Sequence, residues 1–228
     1  GCRTLPEGDP KHPDIILISI DSLRQDHLSG EGYPRPTTPF LDTLAAKGTH
    51  FTKVRSASPW TLPAHVSMLS GRWPTDHGVV EEDRKIPPSL PLIQEQLQKS
   101  GWATAGFVST IFVSSLYGFN RGFDTFEDFQ ISEKQNLLHP IRMSRIVDSS
   151  LDWAKKQSGK PIFLFLHTYD VHYPYLPPEG YEGHFGKQAT RLELKYHSYF
   201  YYLEHPVSAQ RMQKLQDSYD ACLLSVDD

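Results

Sequence analysis

Asp14-Ile15-Ile16-Leu17-Ile18-Ser19-Ile20-Asp21 is the stretch on which the fold turns. Residues 15–20 are apolar except for Ser19. So short and continuous a run predicts a parallel strand buried on both faces. It ends in Asp21, and open α/β sheets bind their ligands beyond the carboxyl ends of the strands. Outward from it, residues 38–47 predict a helix, with Thr38 as cap, Pro39 in the first turn and Gly48 as stop. Residues 89–100 predict another, with Leu90, Ile93 and Leu97 on one face and Gly101 as terminator. A second strand is expected over 103–108. A third helix is expected over 141–157, carrying Met143, Ile146, Val147, Leu151 and Ala154. Pro161 leads into an apolar strand over 162–166, and 210–226 closes the chain as an amphipathic helix through Met212, Leu215, Tyr219, Cys222 and Leu223.

Strands alternating with helices predict an α/β fold, a mostly parallel sheet sandwiched by helices. Asp21 and His167 then fall at strand ends. The expected organisation is a tail over 1–13 and one α/β domain over 14–228, with an aromatic, irregular insertion over about 173–206 near the site.

Composition narrows the class. The chain has 228 residues, 38% of them hydrophobic and 22% charged, as in ordinary soluble globular proteins. A net charge of -4, a pI near 6.3 and the lack of a basic run give no footing for nucleic acid. The longest apolar run is far too short to span a bilayer, so no transmembrane segment is expected. Cys222 reads as a small buried hydrophobe. Cys2 follows Gly1 with no initiator Met. Such a pair remains at the cleavage point of a bacterial lipoprotein signal, so the expectation is a periplasmic or extracellular protein anchored through Cys2. The alternative is an arbitrary fragment start.

The run Pro59-Trp60-Thr61-Leu62-Pro63-Ala64-His65-Val66-Ser67-Met68-Leu69-Ser70-Gly71-Arg72 places a hydroxyl at a helix start. Unpaired N–H groups and the positive end of the helix dipole suit a nucleophile that must attack an anionic ester. By itself Thr61 reads more simply as an N-cap.

Four segments combine: Ile18-Ser19-Ile20-Asp21-Ser22-Leu23-Arg24, the Thr61 turn, Pro74-Thr75-Asp76-His77-Gly78, and Phe165-Leu166-His167-Thr168-Tyr169-Asp170-Val171-His172-Tyr173-Pro174. In this order and spacing they resemble the sulfatase family of the alkaline phosphatase superfamily. Arg121-Gly122-Phe123-Asp124 and Tyr219-Asp220-Ala221 resemble further family segments. The resemblance implies an alkaline-phosphatase-like fold represented by its N-terminal part, and a hydrolase that needs a divalent metal ion (Ca, Mn, Mg or Zn). It makes Asp21 the first metal-binding carboxylate and Thr61 the nucleophile. It makes His172 the histidine at the transferred group, and puts His65 where an arginine usually supports the nucleophile. His167 and Arg24 are further candidates, for substrate binding. Each has a plainer reading: Asp21 as an N-cap, His172 and His65 as packing, His167 and Asp170 as orienters, His77 as a loop anchor, Arg24 as an ion-pair partner.

The departures shape the chemistry. Thr61 cannot become formylglycine, which needs Cys or Ser. Ser22 replaces the second Asp of the usual pair. The Gly-Lys-Trp-His type segment expected after Ala105 is Gly106-Phe107-Val108-Ser109-Thr110, without its lysine and histidine. A Thr nucleophile points toward phosphodiester, phosphonate or phosphotransfer chemistry on a small-molecule, glycan or lipid-headgroup ester. Two alternatives stand: a sulfuric ester hydrolase without formylglycine, and a noncatalytic relative binding a glycan or anionic polymer. The resemblance also puts the second metal cluster, an Asp followed by His or Asn, beyond Asp228. The stretch is therefore expected to be part of a longer enzyme and inactive alone.

Overall fold

The computed structural model describes residues 12–129, 142–157, 159–187, 189 and 205–228. Its main elements are β1 (Ile15–Ile20), α1 (Pro39–Lys47), α2 (Thr61–Ser70), α3 (Pro74–His77), α4 (Ile93–Lys99), β2 (Ala103–Val108), β3 (Thr125–Asp128), α5 (Met143–Ala154), β4 (Ile162–Thr168) and α6 (Ala209–Asp227). The sheet order is β1-β4-β2-β3, with β2 parallel to both β3 and β4. The mostly parallel α/β architecture expected from the sequence is present. Two compact units divide at Ser19/Ile20, Val54/Arg55 and Thr168/Tyr169.

The first unit holds the sheet. Because successive strand residues face opposite sides, Phe163, Phe165 and Val108 face a core built on Leu62, Val66 and Leu69 of α2. Leu164, Leu166, Ala105 and Phe107 face the other way, onto Ile146, Met143 and Trp153. Burying a large apolar side chain contributes about 1.5–3 kcal/mol, so these two faces dominate the unit's stability. Gly106 is required where it stands: a Cβ there would lie 2.7 Å from the Phe126 ring.

Several expectations are corrected. β1 lies at the sheet edge, and while Ile15 and Leu17 pack on the α2 side, Ile16 and Ile18 are 57% and 51% exposed. Among the described residues the strand is covered on one face only. The helix expected over 89–100 is confined to α4, because Pro91 offers no N–H to a preceding turn and Glu95 accepts the Leu92 N–H to start the helix afresh. Its fully buried residue is Gln94, not Ile93, which is 47% exposed. β3 is an additional strand that the sequence pattern does not announce, and β4 runs on to Thr168, so His167 lies within the strand. The expected insertion shows no helix or strand over 173–187. Most of its remainder, together with Cys2 and Ile141, lies outside the described residues.

The second unit packs α6 with α1. Val171, Tyr219 and Leu223 form its core with Ile20, Leu23, Leu28, Tyr175 and Val226. The Asp227 carboxylate accepts the first N–H groups of α1, from Phe40 at 2.6 Å and Leu41 at 2.9 Å. That caps a helix whose own N-cap residue, Thr38, makes no side-chain cap bond. Among the described residues, no helix is long and apolar enough to cross a membrane.

Candidate functional site

The start of α2 organises the candidate residues of the first unit. Trp60, in extended conformation, is the N-cap, so Thr61 is the first helical residue and not the cap. Pro63 falls in the first turn, where its missing N–H costs no helical bond. Gly71, at φ 67°, ends the helix by bonding back to the Ser67 carbonyl at 2.9 Å. The burial of Leu62, Val66 and Leu69 fixes which way the helix faces, and with it the placement of Thr61.

One turn on, the buried His65 places Nδ1 2.7 Å from the Thr61 carbonyl oxygen and Nε2 2.9 Å from Ser19 Oγ. A carbonyl only accepts, so Nδ1 carries the proton, and the neutral ring then accepts from the Ser19 hydroxyl. Ser19 reaches His65 because it follows Ile15 and Leu17 on the α2-facing side of β1. By the same alternation His167 follows Phe163 and Phe165. Its ring stands edge-on to His65, centroids 4.7 Å apart at 80°, and a nitrogen of each lies within 4.8 Å of the other. Paired imidazoles at that spacing suit a zinc or other transition-metal ion.

Behind α2, His77 accepts the Val79 N–H at Nδ1 (3.0 Å) and meets Ser67 Oγ at Nε2 (3.0 Å). Burial pushes its pKa down, against an opposing backbone bond to Pro63. It anchors the turn after α3, as its plainer reading has it.

In the second unit, Asp21 is followed by Ser22 in the left-handed region, φ 59°. Ser22 Oγ donates to Asp21 Oδ1 at 3.0 Å, and the Tyr219 hydroxyl donates to the Ser22 carbonyl at 2.9 Å while accepting the Arg24 N–H at 2.9 Å. Burial drives the Tyr219 phenol pKa strongly upward, so it remains a donor. The Arg24 guanidinium is committed to Asp26, at 2.9 and 2.6 Å. That hydrogen-bonded pairing raises the Arg24 pKa and lowers that of Asp26. His172 donates from Nδ1 to the Tyr173 carbonyl at 2.6 Å and stacks on Tyr169. Asp170 is buried.

A further cluster of this unit centres on the fully buried Asp220. It bonds His27 Nδ1 at 2.6 Å, the Tyr33 hydroxyl at 2.7 Å and Arg35 Nη1 at 2.7 Å, while Arg35 Nη2 reaches Asp217 at 2.8 Å. Burial, then the bond to Asp220, pushes the Tyr33 hydroxyl up to about 12.

Of the residues singled out in the sequence, Thr61, His65 and His167 are gathered in the first unit, and Asp21, Arg24 and His172 belong to the second. Ser19 is the residue that sequence reasoning misses. Its signal is there: a lone hydroxyl on the inward row of an apolar strand needs a partner.

The Sulfatase family profile matches residues 13–228. The chain belongs to the sulfatase family. It is 31% identical over 99 residues to an ulvan-active sulfatase of Formosa agariphila, a match spanning 43% of this chain and 19% of that protein. The C-terminal periplasmic domain of EcEptC from Escherichia coli, solved in complex with Zn, superposes with a TM-score of 0.68 at 18% identity, over 95% of this chain and 57% of that one. The phosphonate monoester hydrolase of Agrobacterium radiobacter gives 0.70 at 15% identity, over 94% and 57%. This sulfatase-family chain thus spans little more than half of those two structures, and its match to the Formosa enzyme covers about a fifth of that protein.

Proposed function

We propose that the full-length protein is a metal-dependent ester hydrolase in which Thr61 attacks phosphorus or sulfur, with phosphodiester, phosphonate or phosphotransfer chemistry favoured. One observation carries this reading: Thr61 opens α2 with its carbonyl held by His65, and His65 is in turn paired with His167. A hydroxyl fixed in a first helical turn lies among backbone N–H groups that no helical carbonyl uses. Those amides are suited to the charge that gathers on an ester's nonbridging oxygens.

The residue types fit a divalent ion. The proposed donors of the first unit are the imidazoles of His65 and His167; Asp21, in the second unit, is a metal-binding carboxylate by the family resemblance. His65 would exchange its Nε2 bond from the Ser19 hydroxyl for the ion and keep Nδ1 on the Thr61 carbonyl. Two imidazoles favour Zn over Ca, Mg or Mn, which prefer oxygen ligands. When bound, such an ion supplies the positive charge that makes ionising a threonine hydroxyl feasible near neutral pH. His172 has Nδ1 committed to the Tyr173 carbonyl, which leaves Nε2 as the atom to hold or give up a proton. The substrate is a small-molecule, glycan or lipid-headgroup ester, and the setting is periplasmic or extracellular.

The direct test offers the metal-stripped full-length protein an aryl phosphodiester and an aryl sulfate in competition, with Zn, Mn, Ca or Mg added back. The expected result is preferential phosphodiester cleavage, restored by Zn. Preferential sulfate cleavage would install the sulfuric ester hydrolase in its place. Anion binding with no turnover and no metal uptake would support a noncatalytic role, which Ser22, in place of a second carboxylate, favours.

A further inference from the structure

We propose that Tyr169 is a positioning residue for His172, holding its imidazole by face-to-face stacking so that Nε2 is presented in one orientation. The inference rests on the role given to His172 above. The two rings lie 4.3 Å apart, centroid to centroid, and only 3° from parallel.

The local chain explains how. Tyr169-Asp170-Val171-His172 forms a tight turn in which the His172 N–H donates to the Tyr169 carbonyl at 2.9 Å. Asp170 and Val171, between them, are buried, and Val171 sits in the second unit's apolar core. The middle of the turn is therefore anchored, while Tyr169 and His172 at its two ends are both half-buried. The ring of His172 meets a second restraint in its own plane, the Nδ1–H bond to the Tyr173 carbonyl at 2.6 Å. Because that oxygen only accepts, the bond fixes the proton on Nδ1 and the lone pair of the neutral ring on Nε2. Rotation about the Cβ–Cγ bond would swing the ring off Tyr169 and break the Nδ1 bond together. The two restraints are complementary. The hydrogen bond alone permits the ring to tilt, and the stack alone permits it to flip.

The stack also has a sense in the chemistry. Nearly parallel rings whose centroids lie 4.3 Å apart are displaced sideways, the offset stack that aromatic pairs favour over an eclipsed sandwich. The contact therefore restrains the imidazole plane in the neutral ring that the Nδ1 bond defines. Tyr169 thus holds the ring that presents Nε2 in one orientation.

The test compares Tyr169→Phe, Tyr169→Leu and His172→Gln in the full-length, metal-loaded protein, with kcat and KM measured on the better of the two aryl esters. Imidazole nitrogen NMR reports the His172 tautomer without needing turnover. Tyr169→Phe keeps the stacked face and should keep kcat. Tyr169→Leu should lose kcat about 100-fold, the scale of a misplaced catalytic group, with KM little changed and the single Nδ1–H tautomer replaced by a mixture. Melting curves accompany each variant, and Tyr169→Met is the second nonaromatic replacement if Leu fails to fold. Wild-type kcat and a single tautomer in the nonaromatic variant would overturn the proposal. So would a Phe variant as impaired as Leu, since the hydroxyl and not the face would then matter. If His172→Gln retains activity, the reading of His172 itself fails. If His172→Gln is inactive and Tyr169→Leu is not, only the role of Tyr169 fails.

Discussion

The imidazole of His65 donates its Nδ1 proton to the carbonyl oxygen of Thr61, 2.7 Å away and one helical turn earlier. The side chain thereby clamps the turn that carries the candidate nucleophile. The clamp is itself held from β1 through Ser19. Strand and helix start are therefore linked by one buried ring.

Ser19→Ala should cost about 1 kcal/mol in urea unfolding of the metal-free protein, the typical net value of a hydrogen bond. His65→Ala should cost more, since it also opens a cavity beside His167. Equal midpoints for Ser19→Ala and wild type would show that the hydroxyl does not hold the ring.

Asp220→Ala removes one carboxylate from three donors, His27, Tyr33 and Arg35. Breaking a buried pair by deleting one partner costs about 3–5 kcal/mol, so this variant should be the least stable of those considered. Denaturant titration checks it, and a loss no larger than that of an exposed Asp26→Ala control would contradict the assignment.

His77 makes acid stability predictable in sign. Its folded pKa is depressed by burial, so the unfolded chain binds the proton more readily. The contribution to stability is full above the unfolded value, about 6.5, and is lost as pH falls through that value toward the folded one. Protonation also removes the Nδ1 acceptor from the Val79 N–H. Unfolding midpoints of wild type and His77→Gln should therefore differ at mildly alkaline pH and converge on the acid side. A parallel pH dependence in both would count against His77 as the source.

Much of the fold is legible in the sequence. Pro39 and Gly48 bracket α1 as expected, and Asp21 follows the first strand directly. The differences have local causes. An apolar run such as 15–20 says that a strand forms but not how many neighbours it has; among the described residues β1 pairs on one side, and Ile16 and Ile18 are exposed. Thr125-Phe126-Glu127-Asp128 is too short and acidic to announce β3, which exists because β2 offers it a parallel partner. For the candidate site, the sequence supplies residue types but not pairings. His65 and His167 are distant in the chain, and only the alternation of β4 against α2 brings their rings together. Stacking of Tyr169 on His172 depends on a turn that periodicity does not reveal.

Turnover of an aryl phosphodiester by full-length wild type and Thr61→Ala tests whether Thr61 is the nucleophile. Thr61→Ala should lose turnover more than about a thousandfold, as when an attacking residue is removed, with the melting temperature nearly unchanged. Turnover equal to wild type in a folded Thr61→Ala protein would contradict it.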